Sequence, residues 1–389
     1  MKNHYDVIII GAGSMGMAAG YYLGRNGINT LLIDAFDPPH NKGSHHGDTR
    51  LIRHASAEGR QYVPLALRAQ ELWYELQEEI GKTLFLPTGT LLVGDQNATF
   101  INETIKRAKE FSLPLEKLSA HEIQKRWPSF SIASELTGYY ESSSGVLFNQ
   151  ECIEAYKQLS KHYPVTLKTN TIVQSINSID SSATVKTNKG TYHAKKVIVS
   201  AGAWTGKILH SLGLPLQTVR KTFGWFRTID TSFQPPMLPC FYFNVANEKY
   251  YGFPDVDGKG VKVGRNDSER DVDPGQMTQD FGKYSSDEND LKNFAGKFIP
   301  RAANKFSYGK TCMITKTPNK DFIIDFHPES ENIIIAGGFS GHGFKYSSVI
   351  GEILSQLAIN KSTTHDISKF SIPGKSKVNS GKIKNQYLW

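Results

Sequence analysis

The sequence predicts an α/β protein: a discontinuous Rossmann-like nucleotide-binding domain with a second domain inserted into it. Three observations carry this. A β-branched run, Tyr5–Ile10, enters Gly11-Ala12-Gly13-Ser14-Met15-Gly16 and then a helical pattern over Ser14–Asn26, with Gly27 as its stop. A second apolar strand, Thr30–Ile33, follows and ends on Asp34. Two more core strands, Val197–Ser200 and Asn332–Ala336, run into glycine-rich turns far down the chain. Strand, turn, helix and strand in that order build a parallel sheet.

Each part of the opening has a physical reason. Gly11 permits the tight turn, Gly13 lets backbone approach a pyrophosphate, and Gly16 allows close helix–strand packing. The helix start at Ser14 and Met15 offers free N–H groups and a partial positive charge to phosphates. Asp34 is placed to accept hydrogen bonds from an adenosine ribose. The fingerprint alone does not separate FAD from NAD.

Between these strands, Pro38-Pro39-His40-Asn41-Lys42-Gly43 opens a long polar loop. Tyr62–Ile80, Cys152–His162 and Tyr346–Ala358 read as helices. Ala183–Thr187 and Thr191–Ala194 form a hairpin around Asn188-Lys189-Gly190. Aromatic and β-branched residues over Val219–Ile229 and Phe241–Val263 suggest sheet. The nucleotide-binding domain is expected over 1–85, 146–216 and 320–372, with 86–145 and 217–319 forming the inserted domain. Residues 373–389, with Lys375, Lys377, Lys382 and Lys384, read as a solvated, mobile basic tail.

Length and composition narrow the classes. A chain of 389 residues is enough for two domains. Its three cysteines, Cys152, Cys240 and Cys312, are scattered and form no CxxC pair, which argues for a reducing compartment. Neither a signal-peptide core nor an apolar run of the ~20 residues a membrane span needs is present, so a cytoplasmic location without membrane contact is expected. The net charge of +8 comes from dispersed lysines without a zinc-finger or RNA-binding motif, so no nucleic-acid partner is expected. A basic cleft would still attract an anionic substrate. His45 and His46 are adjacent but lack a third ligand, so no metal is expected.

The segments Gly43-Ser44-His45-His46-Gly47-Asp48-Thr49-Arg50 and Phe339-Ser340-Gly341-His342-Gly343-Phe344-Lys345 resemble long signatures of the monomeric sarcosine oxidase family, which includes N-methyltryptophan oxidase. The resemblance also takes in Gly11–Met17, Asp37–Arg53, Tyr250–Pro254, Cys312 with Thr315-Lys316-Thr317, and Asp321–Asp325. It implies an FAD-binding domain, an α+β catalytic domain on a mixed sheet, a monomer, and one FAD held covalently through Cys312. A thiolate is the natural nucleophile for an electrophilic flavin methyl carbon. Cys152 and Cys240 are read as buried structural cysteines.

Further roles follow from the same resemblance. Arg53 and Lys345 match cations that bind the substrate carboxylate, where a forked guanidinium and a point-charge ammonium suit the task. The bland alternatives are a surface salt bridge for Arg53 and a solvated helix end for Lys345. Thr49 and Arg50 match residues close to the flavin ring, and a cation there stabilises reduced flavin. His45, His46, Gly341 and His342 belong to the cofactor's surroundings, and Tyr251 matches an active-site tyrosine. Lys262 matches a lysine over the other flavin face that promotes reaction with O2; its bland alternative is the solvent face of a strand.

Two positions depart from the pattern. Asn266 stands where the family has histidine, and Tyr242 where sarcosine oxidase has methionine. The implied activity is hydride transfer from a small secondary amino acid to FAD. Imine hydrolysis then gives aldehyde and amine, while O2 becomes H2O2. The departures leave N-methyltryptophan and cyclic imino acids open as substrates. An NAD-dependent dehydrogenase would leave Cys312 and His45–Arg50 without a purpose, and a flavin carrier without turnover would do the same for Lys262, Arg53 and Lys345.

Overall fold

The glycine-rich turn sits where five parallel strands end. The computed structural model describes residues 3–373, apart from 96, 180, 181, 229 and 277–279, together with the backbone of Ile383–Gln386. The parallel neighbours run in the order Ser330–Gly337, Gly190–Val199, His4–Ile10, Thr30–Ile33 and Val165–Lys168. Ile8 faces Val197 on one side and Leu31 on the other. The apolar runs are continuous because both faces are covered, as parallel sheets require. On one face Ile9, Ile198 and Ile334 pack with Leu23, Ile350 and Leu354 of the helices Ser14–Arg25 and Ser347–Asn360. On the other, Ile8, Val197 and Ile333 join Val173, Ile176 and Val185 of an antiparallel meander. Helix Tyr62–Ile80 has the expected limits and stops at Gly81, whose φ of 67° is the left-handed cap that glycine adopts freely.

Three local readings change. The strands expected at Thr191–Ala194 and Val197–Ser200 are one strand, Gly190–Val199. Its first half pairs antiparallel with Ser182–Thr187 and its second half parallel with Ser330–Gly337. The polar pair Lys195-Lys196 marks the crossover; Lys196 Nζ donates to Glu331 O at 2.8 Å. The Phe241–Val263 region divides into Cys240–Val245, Glu248–Phe253 and Val261–Arg265, with Ala246 and Asn247 turning the chain at φ 50° and 66°. In the basic tail, Ile383–Gln386 is an edge strand antiparallel to Ser175–Ser178, where a mobile end was expected; residues 374–382 and 387–389 lie outside the described residues.

A second sheet of nine strands is mixed. Cys240–Val245 runs parallel to Thr90–Gly94 and antiparallel to Glu248–Phe253. At its other end Gln217–Phe226 pairs antiparallel with the long strand Phe306–Lys316. A three-stranded sheet of Thr49–Ile52, Gly145–Phe148 and Phe85–Leu86 completes the strands around the site. Among the described residues no helix is long and apolar enough to cross a membrane.

Candidate active site

A cavity of about 510 Å³ runs from the turn at Gly11 to Arg53 and Lys345, passing Arg50 and Cys312. At the turn, Gly11 has φ 92°, and a Cβ there would lie 2.5 Å from Ser200 O. A Cβ on Gly16 would lie 1.9 Å from Gly11 O, so helix and strand touch through glycine. A Cβ on Gly13 would meet only the His45 ring, at 3.5 Å. Side chains do not cap this helix, which leaves its first amides, at Ser14 and Met15, to a ligand. Asp34 accepts from Ala12 N at 2.7 Å and Phe36 N at 2.9 Å. Its carboxylate therefore shapes the turn as well as facing the cavity.

Beyond the turn come the residues assigned to the flavin. His45 is buried over Gly13, and burial pushes its pKa down to about 3, so the ring is neutral. His46 is pushed to about 4 by burial, with Lys310 and Arg50 adding to the shift. Among the described residues no cluster of three or more potential metal ligands occurs. Arg50 lines the cavity and donates to Thr49 O at 2.8 Å, to Ser44 O at 2.7 Å and to His46 O. Tyr251 also lines it; a Cβ on Gly264 would meet the Tyr251 ring at 2.3 Å, so that glycine makes room for the tyrosine.

Cys312 lies on the Phe306–Lys316 strand opposite Lys221 and is partly exposed to the cavity. Burial raises its pKa, while Arg50, Lys262, Lys221 and Arg220 pull it down. Ser44 Oγ donates to Met313 O at 2.7 Å, tying the histidine loop to this strand. Gly341, with φ 84°, turns the chain before His342. The His342 ring stacks on Phe322 at 4.8 Å, its Nε2 contacts Lys320 O at 3.1 Å, and its buried Nδ1 has no hydrogen-bond partner among the described residues.

Lys262, Thr49 and His46 do not line this cavity; they stand behind its wall. Lys262 is not on a solvent face. It is 2% exposed, and its Nζ donates to Gly47 O, to Thr49 O at 3.1 Å and to Thr49 Oγ1 at 3.2 Å. The ring centroids of Phe223, Trp225 and Phe253 lie 4.8, 5.5 and 4.9 Å away. Burial, then Arg50, holds its pKa well below the usual lysine range.

The far end of the cavity gathers Arg53, Lys345, Glu58, Tyr242 and Asn266. Neither cation is at the surface: Arg53 is 4% and Lys345 5% exposed. Arg53 Nη1 donates to Ala55 O at 2.8 Å and Nη2 pairs with Glu58 at 2.9 Å. Burial lowers the Lys345 pKa to about 8 despite the opposing charge of Glu58. Burial alone would raise the Glu58 pKa, but Arg53 and Lys345 hold it well below the carboxylate range. Tyr242 accepts from Asn266 Nδ2 at 3.2 Å and stacks on Phe100 at 4.7 Å; the Arg53 guanidinium sits 4.9 Å over that same ring. The sequence reading did not single out Glu58, Phe100 or Lys221. A carboxylate five residues after Arg53 was the one local signal available.

A family model described as FAD dependent oxidoreductase matches residues 6–357, which sets the class of flavoenzyme and decides the dinucleotide that the fingerprint left open. Within that class the chain belongs to the monomeric sarcosine oxidase family. It is 48% identical over 376 residues to monomeric sarcosine oxidase from Bacillus sp. (strain B-0618), covering 96% of both chains. It is 36% identical over 369 residues to N-methyl-L-tryptophan oxidase from Yersinia pestis (strain Pestoides F), covering 95% of this chain and 98% of the other. The solved glycine oxidase from Geobacillus kaustophilus shares the fold, with a TM-score of 0.81 at 20% identity, covering 96% of this chain and 99% of that one. The cavity suits FAD: its nucleotide turn offers uncapped helix amides and a glycine, Gly13, where a Cβ would meet only the His45 ring.

Proposed function

We propose that this chain oxidises a small secondary amino acid of the sarcosine type, an N-methyl amino acid, with O2 as electron acceptor. The observation that carries the reading is the buried Arg53 and Lys345 pair, which lines the same cavity as the nucleotide turn. Two cations out of water are fitted to a carboxylate. Their charge also disfavours an ammonium nearby, so the bound amine is held in the unprotonated form that can release hydride. FAD, when bound, would supply the two-electron acceptor, with O2 as the final oxidant; the imine product hydrolyses to aldehyde and amine, and H2O2 is the second product.

In this reading Gly11, Gly13, Ser14, Met15, Gly16 and Asp34 hold the adenosine diphosphate part. His45, Arg50, Gly341 and His342 line the flavin's part of the cavity, His46 and Thr49 back its wall, and Cys312 carries the flavin covalently. Lys262 offers positive charge to O2 as it is reduced. Tyr251, Tyr242 and Asn266 shape the wall beside the amine. The sheets support a division into the nucleotide-binding segments 1–85, 146–216 and 320–372 and the catalytic segments 86–145 and 217–319. The buried free thiols Cys152 and Cys240 fit a reducing compartment such as the cytoplasm.

A peroxide assay over sarcosine, N-methylalanine, proline, pipecolate and N-methyltryptophan tests the substrate, and activity highest on a carboxylate-free amine would refute the reading. Cys312→Ala should abolish flavin fluorescence on a denaturing gel, whereas Cys152→Ala should keep it. A fluorescent Cys312→Ala band would move the attachment elsewhere.

A further inference from the structure

The strand Thr137–Glu141 belongs to the second sheet and ends on a carboxylate that is 1% exposed. Both of its oxygens are filled by the stretch of chain that follows Arg53. Oε1 accepts from His54 N at 2.7 Å and lies 2.9 Å from His54 Nδ1, while Oε2 accepts from Ala55 N at 3.1 Å. Burying a carboxylate is costly unless its lone pairs are met, and here they are. Burial pushes the Glu141 pKa up, yet the hydrogen bonds from His54 and Ala55 hold it below the ordinary carboxylate range. Ser144 Oγ donates to Glu141 O at 2.6 Å and fixes the carboxylate's own backbone.

Ala55 links the carboxylate to the guanidinium. Its N–H is held by Glu141, and its C=O receives Arg53 Nη1 at 2.8 Å. One residue therefore joins the buried carboxylate to the guanidinium. Three residues on, Glu58 closes the other side of the fork at 2.9 Å. We propose that Glu141 is a positioning residue for the substrate carboxylate: it pins the backbone of His54 and Ala55, so that Ala55 O aims the Arg53 guanidinium into the cavity. This rests on the reading of Arg53 as the carboxylate anchor. In Glu141→Gln one oxygen becomes an NH2 group that cannot accept, so an amide or imidazole donor of the loop loses its partner.

The test uses the flavin-loaded enzyme and two amine-free ligands that are not oxidised, methoxyacetate and its neutral amide, titrated against the flavin spectrum. The wild type should prefer the carboxylate. Glu141→Gln should weaken methoxyacetate binding about tenfold and leave the amide within about twofold, since a small misplacement of the fork penalises only the ligand that needs it. In an Arg53→Met background the same change should alter methoxyacetate binding by less than about twofold, because the pair acts as a unit. Equal weakening of both ligands, or an undiminished penalty without Arg53, would assign Glu141 to the fold alone. A wild type indifferent to the carboxylate would instead remove Arg53 as the anchor, and the proposal with it.

Should Glu141→Gln fail to fold, His54 supplies the second arm. His54→Ala removes the ring contact but keeps both backbone donors to Glu141, so it should retain the carboxylate preference. Loss of the preference in His54→Ala would put the positioning on the imidazole and overturn the backbone pin.

Discussion

Two sets of buried cations flank this cavity, and they differ in what neutralises them. Arg53 and Lys345 share a resident carboxylate, Glu58. Lys262 is met by two carbonyls, one hydroxyl and three aromatic rings. A cation that keeps a carboxylate beside it is suited to exchange that anion for another at modest net gain. A cation held only by dipoles and ring faces exerts most of its field on charge that appears briefly. The contrast separates binding an anion from stabilising one that forms during reaction.

The largest effect that could break this contrast is at Lys262. Lys262→Met should slow reoxidation of the reduced flavin by O2 by about 100- to 1,000-fold, the range for loss of one preorganised charge. Reduction by substrate should slow far less. Stopped-flow measurement of the two half-reactions decides it, and equal slowing would put Lys262 among the groups that bind the amine.

Next in size is Lys345→Met. Loss of a charge-assisted hydrogen bond of about 1.5–3 kcal/mol should weaken methoxyacetate binding roughly 10- to 100-fold. An unchanged affinity would leave Arg53 as the sole anchor.

A smaller effect comes from pH. Lys345 is charged below its pKa of about 8 and neutral above it. Methoxyacetate binding should therefore weaken as pH rises through about 8, a dependence that Lys345→Met should abolish. Having no amine, this ligand reports the lysine without the substrate's own titration. A flat wild-type profile would mean that Lys345 already keeps its charge across the range in the ligand-free enzyme.

The smallest change expected is at the wall. Asn266 donates to the Tyr242 hydroxyl, so Asn266→His exchanges that contact for an imidazole that can titrate. A shift of relative kcat/KM toward sarcosine by about fivefold, near 1 kcal/mol, is expected across the N-methyl and cyclic amino acids. No change would make Tyr242 and its stacked partner Phe100 the determinants of the pocket.

The nucleotide half was legible because its chemistry is local. Gly11 through Gly16 act through their own backbone, and Asp34 follows one strand later. The anchors Arg53 and Lys345 came from resemblance, since nothing in an isolated arginine or lysine foretells burial. Glu141 was invisible for a different reason: its partners lie 86 and 87 residues away, and it reads as the polar end of an ordinary strand. Phe100 has the same problem, standing at the start of an unremarked helix until Tyr242 and Arg53 are folded against it. The single strand Gly190–Val199 was divided because its two halves pair with different partners, one antiparallel and one parallel, and neither partner is known from the sequence.

That strand has a consequence for how the chain is made. Val197–Val199 is flanked by His4–Ile10 on one side and by Ser330–Gly337 on the other. Synthesis delivers the first of these partners early and the second only when most of the chain has emerged. Until then the outer edge of Val197–Val199 stays unpaired and apolar, which is the kind of edge that recruits a strand from another molecule. A nascent chain stalled before residue 330 should therefore aggregate or engage a chaperone. Ribosome-bound chains of graded length should acquire protease resistance in this sheet only after Gly337 has cleared the exit tunnel. Sheet closure, and with it the floor beneath the glycine turn, is a late event set by connectivity.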